Sequence, residues 1–215
     1  MKFVFTCGGT AGHINPALAV AGRLKELMPD SAFLFIGVND KMEMELVPRA
    51  GYEIRGLDMT YIVRGHDLHA IAQNLETLRN VARSTREAKA LLRDFAPDAV
   101  IGTGGYICYP VLTAAHDLKI PTLVHESNAV PGLTTKLLAD KVDRVMLGFE
   151  ESRQYYRRPE RVVVTAVVAI ISGFADSLWP LAVGMIVIAV LANITAFWRV
   201  AHCYKVLKER DGKQD

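Results

Sequence analysis

Residues 2–21 read KFVFTCGGTAGHINPALAVA, and the order of residue types in that stretch decides the fold. Lys2 to Thr6 is a short, mostly apolar run that reads as a buried parallel strand, and from Ala17 the apolar residues Leu18, Ala21 and Leu24 fall at helical spacing. Between them lies Cys7-Gly8-Gly9-Thr10-Ala11-Gly12-His13. A glycine-rich turn from strand to helix gathers free backbone N–H groups at the positive end of the helix dipole, which favours an anion. Without a Cβ in the way, a phosphate comes close to the backbone. The spacing is not that of a Walker A loop, since no Lys-Ser or Lys-Thr follows the last glycine, and the third glycine is misplaced for G-x-G-x-x-G. His13 has two readings: a general base, since an imidazole titrates near neutral pH, or a residue that caps the helix or packs.

Strand and helix patterns alternate onward from this stretch. Helix over Ala17 to Leu27, strand over Ala32 to Gly37, short helix over Lys41 to Ala50 and strand over Tyr52 to Leu57 are expected, followed by an irregular loop from Met59 to Gly65. Leu68 to Phe95 is a long helical segment whose apolar positions Leu68, Ile71, Leu75, Leu78, Ala82, Ala88 and Leu92 recur at helical intervals. Its basic residues Arg79, Arg83, Arg86, Lys89 and Arg93 fit a solvated face or a face set against anionic headgroups. Ala99 to Gly102 is the fourth strand and opens into Thr103-Gly104-Gly105-Tyr106, with a helix from Val111 to Leu118, so the strand, paired glycines and helix recur. Pro121 to Val124 is the fifth strand and delivers His125-Glu126-Ser127-Asn128, either to a ligand or as a turn cap beside a satisfied buried histidine. A helix over Leu133 to Ala139, a strand over Val142 to Leu147, a short helix over Glu150 to Tyr156 and a strand over Val162 to Val164 complete the pattern. Its fold class is α/β, a Rossmann-like doubly wound parallel sheet, in which such loops converge on one crevice at the carboxyl ends of the strands.

The chain has 215 residues, enough for one large domain or a domain with an appendage. A net charge of +2 gives no footprint for nucleic acid, and none is expected as a partner. Cys7, Cys108 and Cys203 are far apart and odd in number, so neither a disulfide framework nor a metal site follows, and a reducing compartment is expected. A single Lys before a short strand does not read as a signal peptide, so the first domain is expected in the cytoplasm.

GGTAGHINPALAVA at residues 8–21, GTGGYICYPVLTAA at 102–115 and HESNAVPGLTTKLLA at 125–139 together resemble the amino-terminal domain of the MurG family. The resemblance runs from about residue 1 to 165. Enzymes of that family transfer N-acetylglucosamine from its UDP-sugar to lipid I (undecaprenyl-pyrophosphoryl-MurNAc-pentapeptide), giving the peptidoglycan precursor lipid II. It implies half of a GT-B fold, residues 1–165 being the acceptor domain. By motif, His13 would deprotonate the acceptor hydroxyl, with Glu126 as the second catalytic residue. Thr10, Ala11 and Gly12 would border the donor sugar, Gly104, Gly105 and Tyr106 would hold the acceptor diphosphate, and Asn15 and Asn128 would complete the substrate site. No metal and no cofactor are implied.

After Val162-Val163-Val164-Thr165 the resemblance ends: the family's Gly-Asn-Pro-Val-Arg turn and donor-binding domain are not in this sequence. Residues 166–215 form instead a hydrophobic tail, uncharged from Ser177 to Trp198, with Trp179 and Trp198 near its ends. That length suits a bilayer-spanning helix with interfacial aromatics, anchoring the chain at the cytoplasmic face of the bacterial membrane, or else a hydrophobic helix docked on the protein. Arg153, Arg157, Arg158 and Arg161 precede the tail and Arg199, Lys205, Lys208 and Arg210 follow its apolar part, so a hairpin with both flanks inside competes with a single span. Leu191 to Val200 loosely resembles the last membrane helix of CDP-alcohol phosphatidyltransferases, without their catalytic aspartates. A donor site would then come from a second subunit or another copy of the chain; a non-catalytic, lipid-binding subunit and a defective fusion are the alternatives.

Overall fold

A computed structural model describes residues 1–59 and 68–164, the backbone alone over 68–76. The tail with its expected membrane helix lies outside the described residues, as does most of the loop from Met59 to Gly65. Among the described residues no helix is long and apolar enough to cross a membrane.

The elements run β1 (Lys2–Thr6), α1 (Ala11–Leu27), β2 (Ala32–Val38), α2 (Glu43–Arg49), β3 (Glu53–Leu57), α3 (Leu68–Phe95), β4 (Ala99–Gly102), α4 (Cys108–Asp117), β5 (Thr122–Glu126), α5 (Leu133–Leu138), β6 (Arg144–Leu147) and β7 (Val162–Val164). Single 3-10 segments at Glu150–Tyr155 and Pro159–Arg161 join β6 to β7. All seven strands pair in parallel in the order β3-β2-β1-β4-β5-β6-β7. The chain winds outward from β1 in one direction, then from β4 in the other, so the switch point lies between β1 and β4.

Period-two alternation divides the core between the two faces of the sheet. Phe3, Phe5 and Phe35 pack with Ile14, Ala17 and Ala21 of α1 and Val47 of α2. Val4, Leu34 and Ile36 face the other way, toward Ala88 and Leu92 of α3, the Val111 and Leu112 pair of α4, and Leu138 of α5. Phe5 and Phe35 stack at 5.2 Å between ring centroids, and Tyr52 meets Phe33 edge-on at 5.7 Å. Aromatic pairs in these geometries add to burial of their area.

Two helices start earlier than the sequence pattern predicts. The helix after β1 begins at Ala11 rather than Ala17, because the Thr10 carbonyl accepts from the N–H of His13 at 3.0 Å and of Ile14 at 3.2 Å. Pro16 is tolerated inside its second turn, where the missing N–H forfeits one bond, to the Gly12 carbonyl. The helix after β4 begins at Cys108 rather than Val111, with Pro110 in the first turn, where N–H groups have no helical acceptor anyway. The segment from Leu68 to Phe95 is a single helix. Of its basic residues, Arg83 pairs with Asp58 and Glu87, and Lys89 pairs with Asp117.

At the amino end of β5, the Asp143 carboxylate accepts from the Thr122 N–H at 2.8 Å and the Thr122 hydroxyl at 2.9 Å. Thr122 is fully buried. Thr122→Val strips the carboxylate of the hydroxyl donor, and a loss of about 1–2 kcal/mol in urea unfolding is expected.

Candidate functional site

The carboxyl ends of β1, β4 and β5 carry the three loops that the sequence singled out. On β1 the loop is short, Cys7 to Thr10, since α1 starts at Ala11. Thr10 is the extended residue before the helix, and Thr10, Ala11, Gly12 and Asn15 are exposed. His13 is therefore not in the loop but in the first turn of α1, half-buried. Residues four and three apart share a helix face, so Asn15 lies with Ala11 and Gly12, whereas His13 turns inward.

The β4 loop lies directly against this turn. Gly8 N–H donates to the Gly104 carbonyl at 3.3 Å, Thr103 N–H to the Thr6 carbonyl at 3.1 Å, and the Thr103 hydroxyl to the His13 carbonyl at 2.6 Å. The Cys108 thiol sits under both loops, 3.2 Å from the Thr6 carbonyl and 3.1 Å from that of Gly104. Burial pushes this thiol up to about 12, which keeps it protonated as a donor.

Glycine is required at 104 and 105 for contact as well as backbone conformation. Gly104 has φ +120°, and a Cβ there would lie 2.2 Å from the His13 Nδ1. Gly105 has φ +90°, and its Cβ would lie 2.4 Å from the Gly8 carbonyl oxygen. Gly105→Ala is therefore expected to cost about 2–3 kcal/mol, combining left-handed strain with a backbone overlap. Gly9 has φ +84° but nothing within 4 Å of its Cβ position. Gly9→Ala should cost only the backbone strain, about 1 kcal/mol, and chemical unfolding of the two variants checks the contrast.

The His13 ring thus rests on Gly104, its Nδ1 buried without a hydrogen-bond partner. Nε2 is the ring nitrogen left for a ligand. His125, at the end of β5, also has a buried Nδ1 without a partner. Burial lowers its pKa, the Glu126 charge works against that, and the neighbouring His13 adds to it. His125 was read from sequence only as part of a polar quartet; its closeness to His13 depends on β1 and β5 flanking β4, which the sheet order supplies.

Glu126 is buried and its carboxylate is saturated. Oε1 accepts from the Asn128 N–H at 2.9 Å and the Asn128 side-chain amide at 2.8 Å, and Oε2 from the Gly132 N–H at 3.0 Å. Burial pushes the carboxyl up, but these donors and the Thr135 hydroxyl outweigh it and hold it below the usual carboxylate range. A carboxylate in this state has little affinity for a further proton; what it does is shape the loop from Ser127 to Gly132. The Ser152 hydroxyl, within bonding distance of the Asn128 and Ala129 carbonyls at 3.1 and 2.7 Å, holds the same loop from the other side. Tyr106 is half-buried against the core below the β4 loop. Sequence reasoning also passed over Glu43, a fully buried carboxylate at the start of α2 that bonds the β1 loop. Its signal was an acid in an otherwise helical Met-Glu-Met-Glu-Leu-Val run.

Among the described residues no group of three His, Cys, Asp or Glu side chains is placed to hold a metal ion. What the site offers is backbone N–H groups at two helix starts, two imidazoles and a braced asparagine at the carboxyl edge of the sheet, where the strand order reverses.

The glycosyltransferase family 28 N-terminal domain matches residues 3–147. A protein of Acetivibrio thermocellus named UDP-N-acetylglucosamine--N-acetylmuramyl-(pentapeptide) pyrophosphoryl-undecaprenol N-acetylglucosamine transferase is 45% identical over 165 residues, 77% of this chain and 44% of that protein. One of the same name from Lactococcus lactis subsp. cremoris is 44% identical over 156 residues, 73% of this chain and 43% of that protein. The chain thus spans less than half the length of the curated relatives it matches. The crystal structure of Acinetobacter baumannii MurG superposes with a TM-score of 0.60 at 28% identity, over 70% of this chain and 42% of that one. The UDP-GlcNAc 2-epimerase of Neisseria meningitidis, with a TM-score of 0.52 at 15% identity over 82% of this chain and 50% of that one, shares the fold.

Proposed function

The chain belongs to glycosyltransferase family 28, and from that premise we propose that residues 1–165 are the acceptor half of an enzyme that transfers N-acetylglucosamine from UDP-N-acetylglucosamine to lipid I. The observation that carries this reading is the seat of His13 on Gly104, which puts an imidazole beside the second glycine loop at the switch point. The acceptor diphosphate lies at Gly104, Gly105 and Tyr106, where backbone N–H groups meet the start of α4. His13 Nε2 takes the proton of the acceptor hydroxyl as its oxygen attacks the anomeric carbon, and UDP leaves with the electrons of the broken bond. Thr10, Ala11, Gly12 and Asn15 border the transferred sugar, and Asn128 approaches it from the β5 side. Glu126, read from the sequence as a second catalytic residue, acts here as a positioning residue, because its oxygens are already occupied by the loop it holds.

In this reading the UDP site lies outside residues 1–165. The tail, residues 166–215, anchors the acceptor domain at the cytoplasmic face of the membrane through the apolar run Ser177 to Trp198, near its lipid substrate. One second reading is a membrane-anchored subunit that binds the lipid acceptor without catalysing transfer, and the specific observation behind it is the uncharged run Ser177 to Trp198.

The test is transfer of labelled N-acetylglucosamine to a lipid I analogue by the purified, detergent-solubilised chain. Turnover that requires His13 supports the transferase. Saturable lipid I binding without turnover supports the acceptor-binding subunit, and the absence of both overturns the two readings together.

A further inference from the structure

Glu43 opens α2, yet its carboxylate reaches across the sheet edge to two other segments. Oε2 accepts from the Gly9 N–H at 3.1 Å and Oε1 from the Val38 N–H at 3.0 Å, and the residue is fully buried. Space for it is cleared by two glycines. A Cβ on Gly8 would lie 2.5 Å from Glu43 Oε1, and one on Gly37 would lie 2.5 Å from its Cγ. A buried carboxylate is costly unless its oxygens are satisfied, so two amides and two bare backbones arranged around it make a built seat.

We propose that Glu43 is a positioning residue for the crevice: its carboxylate pins the β1 loop to the end of β2, and so fixes the entry into α1 and the seat of His13 on Gly104. Gly9 is the residue before Thr10, and Thr10 accepts the first two helical bonds of α1, including the one from His13. A shift of the Gly9 amide is therefore passed to the imidazole through one residue and one turn of helix. The Glu43 carboxylate also occupies the Gly9 N–H that a ligand anion would otherwise engage, which leaves the β1 loop to a neutral sugar and the β4 loop to the diphosphate. This inference rests on the acceptor reading above in its assignment of sugar and diphosphate and in its binding readout, and not in the positioning of His13.

The experiment compares three variants of the full chain in detergent. Glu43→Gln replaces one acceptor oxygen by an NH2 that faces a backbone N–H. Gly8→Ala keeps the charge but pushes the carboxylate out of its seat. Thr122→Val, at the opposite end of the sheet, is the control for a general loss of stability. The readouts are the His13 ring resonances in NMR spectra, the affinity for a lipid I analogue, and the unfolding midpoint. Glu43→Gln and Gly8→Ala are expected to move the His13 resonances and weaken lipid I binding about tenfold, while Thr122→Val lowers the midpoint and leaves the resonances in place. Unmoved His13 resonances in a folded Glu43→Gln or Gly8→Ala variant overturn the proposal, as does an equal movement in Thr122→Val. If Glu43→Gln does not fold, Gly8→Ala decides. If the unmodified chain binds no lipid I, the acceptor reading falls and the His13 resonances still decide the role of Glu43.

Discussion

His13→Ala is expected to lower the rate of N-acetylglucosamine transfer by about 10²–10⁴-fold, the span associated with a positioned general base, while lipid I affinity changes by no more than about threefold. The split follows from where the ring sits. Its Nδ1 is buried on Gly104, so the imidazole is held by packing and meets the acceptor only through Nε2. A proton taken in the transition state is absent from the ground-state complex, so its loss falls on turnover rather than binding. Were His13 only a packing residue, alanine would uncover Gly104 and lower the unfolding midpoint without a matching loss of rate. Steady-state kinetics over a range of lipid I concentrations, with the unfolding midpoint of the same preparation, separate the two.

Much of this crevice was legible in the sequence because it is written in local chemistry. Paired glycines after a short apolar run mark a strand leaving the sheet, and at 104 and 105 the need for glycine is doubled by backbone conformation and close approach. Strand positions came through for the same reason: Phe3, Val4 and Phe5 are buried on alternate faces, and no other element gives such a run a home. The starts of α1 and α4 were misplaced because each helix opens on residues with little helical pattern: Ala11 and Gly12 are exposed with Pro16 inside the second turn, and Cys108, although buried, is followed by Pro110. Gly12 and Asn15 are helical but exposed, so they leave no periodic trace. Glu43 was missed as a member of the site, and the nearness of His125 to His13 went unread, for a different reason. Glu43 reaches residues 5 and 34 positions away, and His125 meets His13 through the strand order, so neither relation has a local signature.

Glu126→Ala is expected to destabilise the domain by about 3–5 kcal/mol, because several donors lose their acceptor at once and each buried donor left unsatisfied costs about 1–3 kcal/mol. Alanine leaves the Asn128 and Gly132 N–H groups and the Asn128 side-chain amide without their acceptor, in a loop that Ser152 ties down from the other side. Glu126→Gln keeps the volume but offers one acceptor oxygen where the carboxylate has two, so about 2–3 kcal/mol is expected. The acid response distinguishes this role from a catalytic one. Because the folded carboxyl titrates below its usual range, the unfolded chain binds that proton more readily than the folded chain. The contribution of Glu126 is therefore complete above the ordinary glutamate pKa of about 4.3 and is lost as the pH falls through the lower folded value. Glu126→Gln has no such proton to bind, so its urea midpoint should fall less between pH 7 and about pH 3 than that of the unmodified chain. Equal acid sensitivity in the two would mean that the Glu126 carboxylate is not what holds the β5 loop, and the loop's place in the acceptor site would need another cause.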